Sequence, residues 1–176
     1  MAKRTPTAFT LSVRNYRGLK TVSWSPQGVC ALVGPNGSGK TTLLEALDLL
    51  RDALLSGLAR ALENHGGLAA VRFFGAIAGD EVEFALDLDG RQWSLRPAHL
   101  EGSGFRSWER FLVDGREMIT REKGDNNMVV QKAGGKKYPA GDTLALACAI
   151  NNDAVDQQAI MPILNLVRGF WSYGAY

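Results

Sequence analysis

The stretch GPNGSGKT at positions 34–41 constrains this chain more than any other eight residues. It matches G-x-x-x-x-G-K-[ST] in full and lies between an apolar run at 29–33, VCALV, and a leucine-rich helical pattern that opens at Thr42. Strand, glycine turn and helix in that order are the scaffold this loop needs to aim main-chain donors at a polyphosphate. Gly34, Gly37 and Gly39 open conformations closed to residues with a Cβ and keep side chains out of the anion's space. The amides of residues 37–42 can then converge on a β-phosphate, reinforced by the positive end of the following helix. Lys40 adds a mobile ammonium for the β- and γ-phosphate oxygens, and the Thr41 hydroxyl offers one hard oxygen ligand to a magnesium ion that keeps most of its waters. The expected nucleotide-binding set is Gly34, Pro35, Asn36, Gly37, Ser38, Gly39, Lys40, Thr41 and Thr42, with ATP and Mg2+ as ligands. The chain holds no guanine-specific [NT]-K-x-D string, which favours adenine. The reaction stays open, since kinases, GTPases, motor ATPases and clamps share the motif.

With 176 residues, 45% of them hydrophobic and 22% charged, the chain has the composition of one globular domain able to bury a core. A net charge of +2 is too mild to argue for nucleic acid. Cys30, in an expected strand, and Cys148, in an expected helix, read as buried thiols, and neither His65 nor His99 has a partner at ligand spacing. No metal site is expected beyond the nucleotide's magnesium. The opening MAKRTPTAFTL lacks an apolar stretch long enough for a signal sequence, and nothing approaches a membrane-spanning run, so a cytoplasmic protein without membrane contact is expected.

Strands are expected at 9–13, 21–24 and 29–33, with a turn over 15–18. Leucines at 43, 44, 47, 50, 54, 55, 58 and 62 predict one long helix ended by His65, Gly66 and Gly67. Residues 81–88 alternate cleanly, Asp89-Gly90 turns, and 92–95 alternates back; 111–113, Asp114-Gly115 and 116–120 repeat the arrangement. The domain reading is therefore 1–66 for the first strands, loop and helix, 67–123 for an antiparallel hairpin subdomain, 124–141 for a flexible loop around a short strand at 128–131, and 142–176 for a helical arm. The arm is expected as helices at 142–150 and 156–171, with Asn151 to Asp153 as turn and cap and Pro162 in the early turns of the second or kinking it.

VRNYRGLKTVSW, then VCALVGPNGSGKTTLLEALDLL, then hairpins and a helical arm resemble the amino-terminal half of an ABC-type P-loop ATPase of the RecF and SMC kind, close to the bacterial AAA-like ATPases. The resemblance implies an α/β P-loop NTPase half-domain, one incomplete ATPase domain. It also implies ATP sandwiched between two copies and completion by a C-terminal half. The segment Asn15, Tyr16, Arg17, Gly18 is similar to the N-[FY]-[RK] element placed before the loop in that family; Tyr16 reads as a core aromatic rather than an adenine contact. Gln131 is the candidate counterpart of the glutamine that senses magnesium and γ-phosphate there, and Gln92 a second candidate; a solvated loop glutamine is the competing reading of both. The chain departs from the family in lacking a convincing signature motif, Asp-Glu strand or switch histidine. Leu55-Ser56-Gly57 imitates the first, and Val113-Asp114 and Leu86-Asp87 imitate the second from within hairpins. Catalytic residues are thus unknown, and nucleotide binding is expected to exceed hydrolysis. Arg116, Arg121, Lys123, Lys132, Lys136 and Lys137 could face DNA, but interspersed acids dilute the group and charge does not support that partner. A small-molecule or nucleoside kinase and a non-catalytic interaction module are the alternative functions.

Overall fold

A computed structural model describes residues 8–77, 79–100, 104–131, 134–141 and 143–170. Among these residues, eight strands form one antiparallel sheet in the order β2-β1-β3-β4-β5-β6-β7-β8. They are β1 (Thr10–Tyr16), β2 (Leu19–Trp24), β3 (Glu83–Leu88), β4 (Arg91–Leu100), β5 (Gly104–Val113), β6 (Arg116–Arg121), β7 (Asn127–Val130) and β8 (Lys136–Pro139). After β2 come three helices, α1 (Lys40–Ser56), α2 (Leu58–Asn64) and α3 (Gly67–Val71); after β8 come α4 (Ala145–Cys148), a 3₁₀ turn (Ala149–Asn151) and α5 (Gln157–Arg168).

Alternation decides which side of the sheet is buried. Leu11 and Val13 of β1, Phe84, Leu86 and Leu88 of β3, Trp93 and Leu95 of β4, and Phe111 of β5 all point into one core. The helices supply its other half: α1 contributes Leu43, Ala46, Leu47, Leu49, Leu50, Ala53 and Leu54, and α5 contributes Ile160, Ile163, Leu164 and Val167. Each fully buried leucine or valine among them stabilises the fold by about 1.5–3 kcal/mol. The opposite sheet face carries Ser12, Ala85, Ser94 and Arg110 in one cross-strand row and meets solvent.

Both Asp-Gly turns form as expected. Asp89 and Gly90 have φ of 50° and 75°, Asp114 and Gly115 of 48° and 74°, the paired left-handed conformations that suit a two-residue hairpin. The turns dock on each other, Asp114 N–H donating to Gly90 O at 2.8 Å.

Five expectations are corrected. Residues 29–33 form no strand, so two strands, not three, precede the loop. The segment leaves β2 through Pro26 and Gly28, the latter at φ 63°, and β2 remains a sheet edge. Cys30 is accordingly exposed rather than buried in a strand. The long leucine helix is broken at Gly57, whose φ of 88° and ψ of 154° suit glycine alone; Leu44 and Leu55, counted on the apolar stripe, are exposed. The expected flexible loop at 124–141 is largely the β7–β8 hairpin, because Met128 and Val130 bury against the sheet. The C-terminal helices do not project as an arm; α5 packs on α1 and on β3 and β4, capped by Asp156, which accepts from Gln158 N–H at 3.1 Å. Pro162 lies inside α5. The helix start expected at Asp142, the end expected at Trp171, Lys132 and residues 1–7 lie outside the described residues.

Candidate phosphate-binding site

The loop at 34–41 is carried by α1, which begins at Lys40. Gly37 and Gly39 take φ of 80° and 88°, so the left-handed geometry expected of the glycines is present at two of the three. Gly39 is doubly constrained, since a Cβ there would come within 2.6 Å of Leu19 Cδ2. Leu19 and Leu43 are in turn buried, which seats the loop's end against β2 and the first turn of α1. An apolar cleft of about 350 Å³ lies beneath, lined in part by Val22, Leu32, Val33 and Gly39.

Residues 34–38 and Thr41 are exposed, and Thr42 is half-buried. The first-turn amides of α1 lie beyond the reach of intrahelical acceptors, as at any helix start. Ser38 N–H donates to Pro35 O at 3.3 Å. The Lys40 ammonium folds back over the loop, donating to Gly34 O and Pro35 O at 2.7 Å each and to Ser38 Oγ at 3.3 Å. One turn further along α1, Glu45 is ion-paired with Arg17, which also donates to His65 O at 3.0 Å. That pair fastens the β1–β2 turn to the helix behind the loop.

Other expected residues fall elsewhere. Gln131 is exposed just after β7, the seventh strand in the sheet order, whereas the loop follows β2 at the other end. Gln92 lies on the solvent face and donates to Asp87 Oδ2 at 2.9 Å. Tyr16 is fully buried, edge-on to Phe84 with centroids 5.3 Å apart. Burial pushes its phenol up to about 12. Arg121 is removed from the expected basic group, because it is 1% exposed; Lys123 and Lys137 are ion-paired with Glu81 and Asp125.

The sequence reading missed a buried polar cluster around Glu109. Its carboxylate accepts from Ser107 Oγ and Ala145 N–H, both at 2.7 Å, and from Leu146 N–H at 3.3 Å. Arg121, directly opposite in the β5–β6 register, donates to the carbonyls of Asp125 (2.9 Å), Thr143 (2.8 Å) and Gly141. Desolvation raises the Glu109 pKa against the opposing pull of these donors and of Arg121. A signal was present in the pattern: Glu109 shares the parity of buried Phe111, and Arg121 that of Ile119, so opposite charges stand on one inward face of paired strands.

The arrangement is a glycine-rich loop at a helix N-terminus beside a mixed α/β core. Residues 29–109 match the family described as "AAA domain, putative AbiEii toxin, Type IV TA system". The chain is 36% identical over 69 residues to the DNA replication and repair protein RecF of Rickettsia bellii, a match covering 35% of this chain and 19% of that protein. It is 48% identical over 40 residues to the OLD nuclease of Thermus scotoductus, covering 23% of this chain and 8% of the nuclease. The chain thus spans a fifth or less of the length of these curated relatives. A solved structure from work on ATP-driven dimerization and DNA-stimulated activation of SMC ATPases aligns at 18% identity with a TM-score of 0.43, covering 64% of this chain and 72% of that one. In sequence the chain is thus similar, over part of its length, to an AAA-domain family, to a RecF protein and to an OLD nuclease. Among the described residues, no helix is long and apolar enough to cross a membrane.

Proposed function

We propose that this chain binds Mg-ATP through Gly34 to Thr42 and acts as the amino-terminal part of a RecF/SMC-like ATPase in DNA-related or defence processes. The observation that carries the reading is a complete phosphate-loop sequence at the start of α1, with two left-handed glycines and the Lys40 ammonium over its mouth. The RecF relative is a replication and repair protein, the OLD relative a nuclease, and the matched family an AAA domain whose description mentions a type IV TA system, which supports the DNA-related or defence setting.

Magnesium suits the donor set in one position. Thr41 is exposed on the first turn of α1 and could offer one hydroxyl, leaving phosphate oxygens and water for the rest. Glu45, the next acid along the helix, is engaged by Arg17. When bound, the ion would neutralise charge on the β- and γ-phosphates; the chain's own residues orient the tail through the loop amides and Lys40. Among the described residues no cluster of three His, Cys, Asp or Glu could hold a metal. With no carboxylate positioned to orient water among the described residues, hydrolysis by the chain alone is weak or absent, and a second copy or a C-terminal half would complete the site.

Calorimetry of the folded chain with Mg-ATP, beside a steady-state ATPase assay, tests this. Binding heat that Lys40→Ala removes, with turnover near background, is the expected result. Turnover at the level of complete ATPases, or no heat for any triphosphate, overturns it.

A further inference from the structure

The segment between α3 and β3 holds a phenylalanine and an isoleucine out in solvent, and it is braced while doing so. Phe74 is 98% exposed and Ile77 72%. At the start of the segment, Phe73 N–H donates to Asn15 O at 2.8 Å and Arg17 N–H to Val71 O at 2.9 Å, on either side of an isolated bridge between Tyr16 and Arg72. Further along, Arg72 donates to the carbonyls of Ile77 at 3.4 Å and Asp80 at 3.1 Å, and the Asp80 carboxylate accepts from Ile77 N–H at 3.1 Å. Phe74 lines a cleft of about 750 Å³ together with Arg17, Ala69, Ala70, Arg72 and Phe73. Ala69 and Ala70 are exposed on α3 and make that part of the lining small and apolar.

We propose that this cleft docks a short acidic segment of a partner protein, one that carries aliphatic or aromatic side chains next to a carboxylate. The alanines and the exposed Phe74 ring call for apolar side chains, since an aromatic contributes about 150–250 Å² when it is covered. Charge chooses the rest of the ligand. Among the described residues, the charged groups lining the cleft are Arg17 and Arg72. Glu45 pairs with Arg17, whereas Arg72 donates to neutral carbonyls through Nη2, which leaves its Nε and Nη1 to meet a carboxylate. A second copy suits this surface poorly, because an isologous contact would set Arg72 against a lining that offers no acid. Duplex DNA suits it poorly too: one such cation amid alanine and phenylalanine is few for a backbone charged about every 1.7 Å. The bracing holds the loop in place before the partner arrives, so little ordering opposes docking.

The test selects dodecapeptides from a random phage library on the whole chain and measures the synthetic consensus peptide by fluorescence anisotropy. Enriched sequences should place Asp or Glu within a few residues of Leu, Phe or Trp. Phe74→Ser should weaken the peptide by at least about 10-fold. Ala69→Glu, which adds an acid to the cleft and spares the loop, should weaken it by about 5-fold through like-charge repulsion. Arg72→Gln should weaken it by about 10-fold and flatten its salt dependence. Urea midpoints of Phe74→Ser and Ala69→Glu should match the wild type, since both side chains are exposed. Lys40→Ala should bind the peptide as the wild type does, which separates this cleft from the phosphate loop. A basic consensus, no enrichment, or peptides that bind Phe74→Ser and Ala69→Glu as tightly as wild type overturn the proposal. Retention on phosphatidylserine vesicles, binding of a short DNA duplex, or self-association in sedimentation, where Phe74→Ser abolishes it, would give the cleft another occupant and overturn it as well.

Discussion

The two ends of the sheet solve the same problem differently. At the β5–β6 end, a carboxylate and a guanidinium are buried, and each meets partners: Glu109 collects two amides and a hydroxyl, and Arg121 three carbonyls. At the β2 end, the uncharged run at 29–33 is mostly exposed beside the phosphate loop, with Leu32 half-buried against the core, and among the described residues it makes no main-chain hydrogen bond. Burial follows available partners rather than polarity: charged groups can enter a core that satisfies them, and apolar ones stay outside one that offers no neighbours.

The largest effect that could break this comparison is at the satisfied end. Glu109→Ala should destabilise the fold by about 3–5 kcal/mol, because it strands Arg121 and the amides of Ala145 and Leu146. Urea denaturation measures it, and a loss below about 1 kcal/mol would mean that the network contributes nothing. Pairing Glu109→Met with Arg121→Met should recover part of the loss, the residue being the α4 amides that Glu109 no longer caps.

At the exposed end Lys40→Ala should leave the urea midpoint unchanged and weaken Mg-ATP by at least about 100-fold, about 2.7 kcal/mol. A stability change there would show that the contacts of Lys40 with the loop oxygens support the fold and not only the site. Gly39→Ala couples the two concerns. Its φ of 88° and the 2.6 Å approach to Leu19 should cost about 1–3 kcal/mol and weaken nucleotide binding with it. Equal midpoints for Gly39→Ala and wild type would mean that loop and β2 do not bear on each other.

How much of this was legible in the sequence follows the same division. Both Asp-Gly hairpins were readable because the turn residues and the alternation of Val82, Phe84, Leu86 and Leu88 agree locally. The glycine turn ahead of α1 was readable because Gly37 and Gly39 take the left-handed conformations that their residue type favours. Residues 29–33 were misread for a physical reason: a local pattern states which partners a strand needs, not whether the chain supplies them. Gly57 was overlooked because the leucine period continues across it, while its backbone ends the helix. Glu109 and Arg121 were hidden by a polarity rule that places charges outside, although strand parity puts both inward.

Acid separates two carboxylates that the chain treats in opposite ways, and gives the smallest expected effect. The Asn127 main-chain N–H, the Lys137 ammonium and the Asn127 side chain hold Asp125 down at about 2. A carboxylate whose folded pKa lies below its unfolded value near 3.8 contributes stability above that value and loses it as pH falls towards 2. Glu109 runs the other way. Its folded pKa is raised by desolvation, so its protonated form is the better tolerated one and its contribution declines as pH rises through the folded pKa. Asp125→Ala should therefore be slightly less stable than wild type at pH 5, by under about 1 kcal/mol because solvent screens the site, and equal to it near pH 2. Urea midpoints at the two pH values decide it. A gap that persists or widens at pH 2 would show that Asp125 acts through packing rather than charge, and that the acid response of the fold is set by the buried end of the sheet.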